Sequence, residues 1–292
     1  MVTGGPDPDP SDEPKQRSNL DKYWHLSTAK TAPSRIEASS KLLKHCASNP
    51  DEVPYTLKRL LRGLASPLES SRQSFFVCLV EFLRQNLVDY DKVSQELRET
   101  LKVSGTQGEE SLYLLGQILA DVALLRAGRV KETRQYQQTL SRLLENGSKR
   151  VYLALISINS VVEYFLHDAP PLPVEEVVTA AGQSFELTLS EASLDTLYFV
   201  LATLNHFGAG ISADFVQESF GLKDLTKKSS LAAITDILTK TTLPLANVVN
   251  HPVLKALVPL VSEKKTAKKL FSQLLPLMNT AYKGQIGIAL LR

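Results

Sequence analysis

The residues able to do chemistry are few and scattered. The histidines are His25, His45, His167, His206 and His251, and none has a second His, Cys or carboxylate at metal-ligand spacing on a shared helix. His167 and Asp168 are neighbours in sequence and so point to different sides. Cys46 and Cys78 are the two cysteines; without metal-like spacing they read as reduced structural thiols of an intracellular protein, with a disulfide or redox pair as the alternative. No Gly-x-Ser-x-Gly elbow, P-loop or dinucleotide fingerprint occurs. Gly208-Ala209-Gly210 reads as a helix-ending loop rather than a phosphate cradle. Two-metal nucleotidyl transfer needs carboxylates converging on paired metals; no Asp-x-Asp pair lies in an apolar strand context, and Asp7-Pro8-Asp9 falls in a leader without an apolar stripe. The sequence therefore predicts no catalytic residue, no cofactor, no metal site and no small-molecule substrate.

Charge carries more information. Lys264, Lys265, Lys268 and Lys269 recur at i, i+1, i+4, i+5, which places four ammonium groups on one helix face. Three readings of that face stay open: a solvated lysine face, sequence-independent and salt-sensitive contact with the phosphates of RNA or DNA, or a weak nuclear-import signal. Only Phe271 and Tyr282 lie close, so the aromatic interleaving usual in nucleic-acid folds is sparse. Lys58, Arg59 and Arg62 form a second basic edge, expected to pair with carboxylates of a neighbouring helix, with a partner site as the alternative. The net charge of +2 hides a segregation. Residues 151–222 hold nine acidic residues and no Lys or Arg, whereas 223–292 hold eleven basic residues and three acidic ones. A negative zone next to a positive one can steer partners.

The elements that must carry these charges are helices. Leu57, Leu60, Leu61 and Leu64 repeat at the spacing of a buried helical stripe. Ser66, Pro67 and Glu69 signal a new helix, with Ser66 as N-cap and Glu69 closing a capping box, and Phe75, Leu79, Phe82 and Leu83 carry its stripe. Two amphipathic helices joined by a short turn make a hairpin, the unit of an α-solenoid. Upstream, residues 1–19 are Pro- and Asp-rich and read as disordered. Tyr23-Trp24 then reads as an aromatic pair closing the end of a core. Ser34 with Glu37 predicts the capping box of the first helix, which runs to about Cys46.

Downstream, Val93, Leu97 and Leu101 mark a short helix, and 105–108 a turn. Leu112, Leu115, Leu119, Val122 and Leu125 make a long stripe stopped by Gly128. A polar helix over 129–145 is expected to end at Asn146-Gly147. Residues 148–166 are apolar nearly all round, which predicts a central helix. Pro170-Pro171-Leu172-Pro173 is the clearest linker and the one candidate domain boundary. Further helices are expected from Pro173 to about Ala181, around Leu194–Leu204, over 214–220, around Leu231–Leu238, from Asn250 and Pro252 through Val261, and around Leu270–Leu277. The predicted fold is all-α, an irregular HEAT- or armadillo-like α-solenoid of stacked hairpins over 20–292, without a strict repeat consensus. No apolar run reaches the length of a membrane span, and the N-terminus lacks the order of a signal peptide, so a cytosolic or nuclear protein without membrane contact is expected.

The stretch 55–83 also resembles the Myb-binding protein 1A family, also called the DNA polymerase phi or yeast DNA polymerase V family. The resemblance begins at Tyr23, Trp24 and Leu26 and continues through Arg35, Ala38, Leu42 and Leu43. Its strongest part is Tyr55-x-Leu57-Lys58-Arg59-Leu60-x-Arg62-Gly63-Leu64-Ala65-Ser66, followed by Glu69, Arg72, Phe75, Leu79, Glu81 and Leu83. Beyond residue 85 it thins to scattered matches, such as 112–125 with Gly128. The resemblance implies a nuclear, mostly nucleolar scaffold acting in ribosomal RNA gene transcription, ribosome biogenesis and transcription-factor co-regulation. Implied partners are transcription factors and nucleolar assembly factors. The other readings are direct contact with ribosomal DNA or pre-ribosomal RNA through the basic C-terminal segment, a transport-receptor-like solenoid, and, from the family name alone, a DNA polymerase. Family members are longer, and this chain stops inside an apolar run, so it is expected to be an N-terminal part or a truncated gene product.

Overall fold

The computed structural model describes residues 22–102, 107–167, 170–208, 210–222, 224–240 and 250–274. These residues are helical with connecting turns, and no strand occurs among them. None of their helices is long and apolar enough to cross a membrane. The leader with Asp7-Pro8-Asp9, residues 105–106 of the expected turn, Asp168, Ala209, Leu277, Tyr282 and the chain end lie outside the described residues, while Gln107 and Gly108 of that turn are helical. The chain divides into two compact units, Met1–Lys131 and Glu132–Arg292; Pro170 to Pro173 lie inside the second.

The first unit contains α1 (22–28), α2 (Ala32–Ser48), a 3-10 turn (Pro50–Glu52), α3 (Val53–Leu64), α4 (Glu69–Arg84), α5 (Tyr90–Thr100) and α6 (Gln107–Arg126). Its centre is α3, which packs on α4, α5 and α6, while α2 packs on α4. The leucine stripe explains this position: Leu57, Leu60, Leu61 and Leu64 are fully buried, and α4, packed on α3, buries Phe75, Leu79, Phe82 and Leu83. Gly63 permits that approach, because a β-carbon there would fall 2.1–2.3 Å from the Phe75 ring.

Several local expectations are corrected. The N-cap of α2 is Thr31, in a reciprocal box with Ser34; Pro33 occupies the first turn and Glu37 pairs instead with Lys41 at 2.7 Å. α4 starts only at Glu69 and has no side-chain cap. Ser66 Oγ accepts from Leu68 N, and Arg72 donates to the Ser66 and Pro67 carbonyls, so Arg72 holds the turn assigned to Glu69. The buried face of α6 is Leu114, Ile118, Asp121 and Leu125 with Ala120, Ala123 and Leu124, leaving Leu112, Leu115, Leu119 and Val122 half-buried. On so apolar a helix the contacts with α3 and α4, not periodicity, choose the rotation. The stop at Gly128 holds: its φ is +65°, and Gly128 N and Arg129 N return to Leu125 O and Leu124 O in a Schellman motif.

The second unit contains α7 (Thr133–Ser148), α8 (Val151–Phe165), α9 (Val174–Ser184), α10 (Leu194–Phe207), α11 (Ala213–Phe220), α12 (Lys228–Lys240), α13 (Val253–Ser262) and α14 (Lys264–Leu274). α7 packs on α8 and α9, α8 on α10, α10 on α12 and α13, and α14 on both α12 and α13. Asn146-Gly147 is not a stop: α7 runs through both to Ser148, and both are buried because α8 crosses there. The central helix is α10, buried at Leu194 and continuously from Thr196 to Thr203, whereas α8 leaves Val151 84% exposed at its start.

Candidate nucleic-acid interface

α14 begins at Lys264, so its four lysines occupy the first two turns. Lys264, Lys265 and Lys268 are exposed and Lys269 is half-buried. The N-terminal end of a helix dipole is itself positive, so the lysine charges add to it rather than being offset. Lys269 Nζ donates to Thr226 O at 3.2 Å, which sets the cluster against the loop leading into α12 and brings the exposed Lys227 and Lys228 to it. With Glu263 at the helix start, Asp224 is a local counter-charge. Its carboxylate accepts from Thr226 N at 2.8 Å and Thr226 Oγ1 at 2.9 Å. These bonds, with the nearby charges of Lys227 and Lys269, hold it below the usual carboxylate range. Sequence reasoning missed Lys227 and Lys228, since nothing in linear spacing links them to residues near 265. Such a surface can bind phosphate oxyanions through flexible ammonium groups without reading base identity.

The second basic face lies on α3. Tyr55, Lys58, Arg59 and Arg62 repeat at i, i+3, i+4, i+7 and form one outward stripe opposite the leucines. Lys58 and Arg62 are exposed and Arg59 is half-buried. The expected pairing with carboxylates is not found. Among the described residues none of the three cations has an ion-pair partner, because α3 holds no acidic residue and its outer neighbour offers a ring instead. The Arg59 guanidinium lies over the Tyr23 ring, 5.3 Å from its centroid, and Tyr23 meets Tyr55 edge-on at 6.0 Å. The aromatic pair predicted to close the core therefore splits. Tyr23 is buried with its hydroxyl 2.9 Å from Thr56 Oγ1, while Trp24 is 64% exposed.

Two of the histidines hold structural contacts. His45 meets Glu52 at 3.1 Å, and His251 meets Asp195 at 2.9 Å. Burial pushes the thiols of Cys46 and Cys78 up, Cys78 to about 12, which keeps them protonated and poor nucleophiles at neutral pH. No group of three or more His, Cys, Asp or Glu able to hold a metal occurs among the described residues.

Comparison with known proteins adds a family. The family model described as DNA polymerase phi matches residues 55–276, a span that takes in both basic faces. The chain is similar to a Myb-binding protein 1A-like protein from Danio rerio, 22% identical over 237 residues, which is 77% of this chain and 18% of that protein. The chain thus spans under a fifth of the length of that relative. No solved structure matches.

Proposed function

Because this chain belongs to the DNA polymerase phi family, we propose that it acts in the nucleus, and in the nucleolus in particular, as an interaction scaffold for transcription co-regulation, ribosomal RNA gene transcription and ribosome biogenesis. The relative's name describes a protein that binds Myb, and by that likeness the partners here are transcription factors and nucleolar assembly factors. The architecture in this reading is an irregular α-solenoid; helices adjacent in sequence, such as α3 with α4 and α7 with α8, pack on one another as its repeats would. The observation that carries the scaffold reading is the charge division of the second unit: α8 to α11 without a single Lys or Arg, then the lysines around α12 and α14. Two opposite zones on one unit suit recruitment of more than one partner. Catalysis has no part in this reading. The test is depletion of the protein in cells with pulse labelling of newly made ribosomal RNA and imaging of a tagged copy. The expected result is nucleolar signal and reduced precursor synthesis, restored by re-expression. Cytoplasmic signal with normal synthesis overturns it.

A second reading is favoured by the Lys269–Thr226 hydrogen bond, which joins Lys227 and Lys228 to the four lysines of α14. In it this surface contacts ribosomal DNA or pre-ribosomal RNA directly. Binding then falls steeply with salt and is lost when Lys264, Lys265, Lys268 and Lys269 are all changed to Glu; salt-insensitive binding, or binding unchanged in that variant, removes it.

A further inference from the structure

We propose that the outward face of α3 is a separate binding surface for single-stranded nucleic acid, holding a base on the exposed Tyr55 ring and phosphates on Lys58, Arg59 and Arg62. Three observations support it. First, the three cations share one stripe with Tyr55 and have no ion-pair partner among the described residues, so their charge is available to a ligand. Second, the exposed ring of the stripe is fixed from behind. Tyr55 is 47% exposed, and its ring rests edge-on against the buried Tyr23, itself anchored by Thr56 and covered by Arg59. Trp24, exposed on α1 next to Tyr23, lies near this anchor in sequence and is used only as a reporter. A ring held this way loses little freedom when a base stacks on it. Third, the chemistry is aromatic and cationic. A protein-docking centre is built on a desolvated pocket ringed by near-neutral contacts, whereas the α3 stripe offers only rings and charges, the combination by which single strands are held without strong sequence preference. Duplex DNA buries its bases and cannot use the rings, which is why the partner is single-stranded.

This surface lies in the first unit and is independent of the lysines of α14. Trp24 is the only tryptophan in the chain, which supplies a local reporter. The experiment titrates the full chain with an unstructured oligouridylate, with oligodeoxythymidylate of equal length, and with a duplex, reading Trp24 fluorescence across a salt series. Either single strand is expected to quench Trp24, and the comparison of the two tells whether the ribose 2′-hydroxyl is read. Three phosphate contacts give a slope of log affinity on log salt of about −2. Tyr55→Ala is expected to weaken binding roughly tenfold and leave the slope unchanged. The pair Lys58→Ala with Arg62→Ala is expected to flatten the slope by about 1.4. The quench is expected to survive in the Lys264, Lys265, Lys268, Lys269→Glu variant, which separates this site from the surface around α14. Circular dichroism of each variant confirms that it is folded. Absence of quenching by both single strands at low salt, equal quenching by the duplex, or equal quenching by polyglutamate would each overturn the proposal, the last by assigning the face to an acidic protein segment.

Discussion

Gly147 and Ser157 touch where α7 crosses α8: a β-carbon built on Gly147 would lie 2.3 Å from the Ser157 β-carbon and 2.5 Å from its hydroxyl. The hydroxyl is not free to move aside, because it donates to Leu143 O at 2.5 Å. Gly147→Ala must therefore push the two helices apart. Alanine gains about 1 kcal/mol in helix propensity over glycine, but overpacking at a fixed contact costs roughly 1–3 kcal/mol and sometimes more. The expected outcome is a lower urea midpoint, recovered in part by adding Ser157→Gly, which removes the clashing side chain. Unchanged stability in Gly147→Ala would mean that the helices do not cross so closely.

Gly147 also shows where sequence reading loses its grip. A glycine after a run of helical residues has two physical uses, a left-handed stop and a close approach, and spacing alone cannot separate them. Gly128 is the first kind, with φ +65°, and was legible because Leu125 ends the stripe before it. Gly147 and Gly63 are the second kind, and only the partners Ser157 and Phe75 reveal it. The α3 stripe was legible for a different reason: four leucines on one side, with Lys58, Arg59 and Arg62 on the other, leave one possible rotation. α6 offered several, and tertiary packing chose among them. At the candidate sites the cations themselves were visible. The ring beneath Arg59 and the loop beneath Lys269 were not, since each contact joins residues more than thirty apart in sequence.

Cys78 and Tyr23 make the first unit sensitive to alkali. Burial raises Cys78 from 9.0 to about 12 and Tyr23 from 10.0 to about 12, with the Thr56 bond opposing part of the shift at Tyr23. Both groups are neutral in the folded and unfolded chain at pH 7, so their contribution is fully present there. Above pH 9 for the thiol and pH 10 for the phenol, the unfolded chain releases the proton first. Stability then falls as pH rises toward the folded values, by at most about 1.4 kcal/mol per pH unit for each group. Urea midpoints between pH 8 and 11 should drop more steeply for the parent than for Cys78→Val or Tyr23→Phe. Equal slopes in all three proteins would show that neither group is shielded as described.

Lys264 and Lys265 stand at the positive end of α14, where a carboxylate would be favoured. Lys264→Glu and Lys265→Glu should each leave the second unit as stable as before or raise its stability by about 0.3–1 kcal/mol at low salt. The same changes should weaken polyanion binding. Thermal unfolding beside the binding titration checks both at once. A variant that melts earlier than the parent would contradict the dipole argument and disqualify its binding loss as a charge effect.

His251 ties two helices of the second unit together. Its Nδ1 accepts from Val253 N at 3.1 Å, which fixes the tautomer so that Nε2–H donates to Asp195 Oδ1 at 2.9 Å. Tyr198 meets the ring edge-on at 6.3 Å. One imidazole thus satisfies the first amide of α13 and holds a carboxylate in the first turn of α10, where the helix dipole favours it. His251→Ala strips a partner from both, and a bond to a charged group plus an orphaned amide is expected to cost about 2–4 kcal/mol. Asp195→Asn keeps an acceptor for Nε2–H and loses only the charge, so it should cost clearly less. Hydrogen exchange locates the effect: amides of α13 should exchange faster in His251→Ala, while those of α7 stay closer to the parent. Protection of α13 equal to the parent's in His251→Ala would mean that apolar packing by Val253, Leu257 and Leu260, not the histidine, docks α13 on α10.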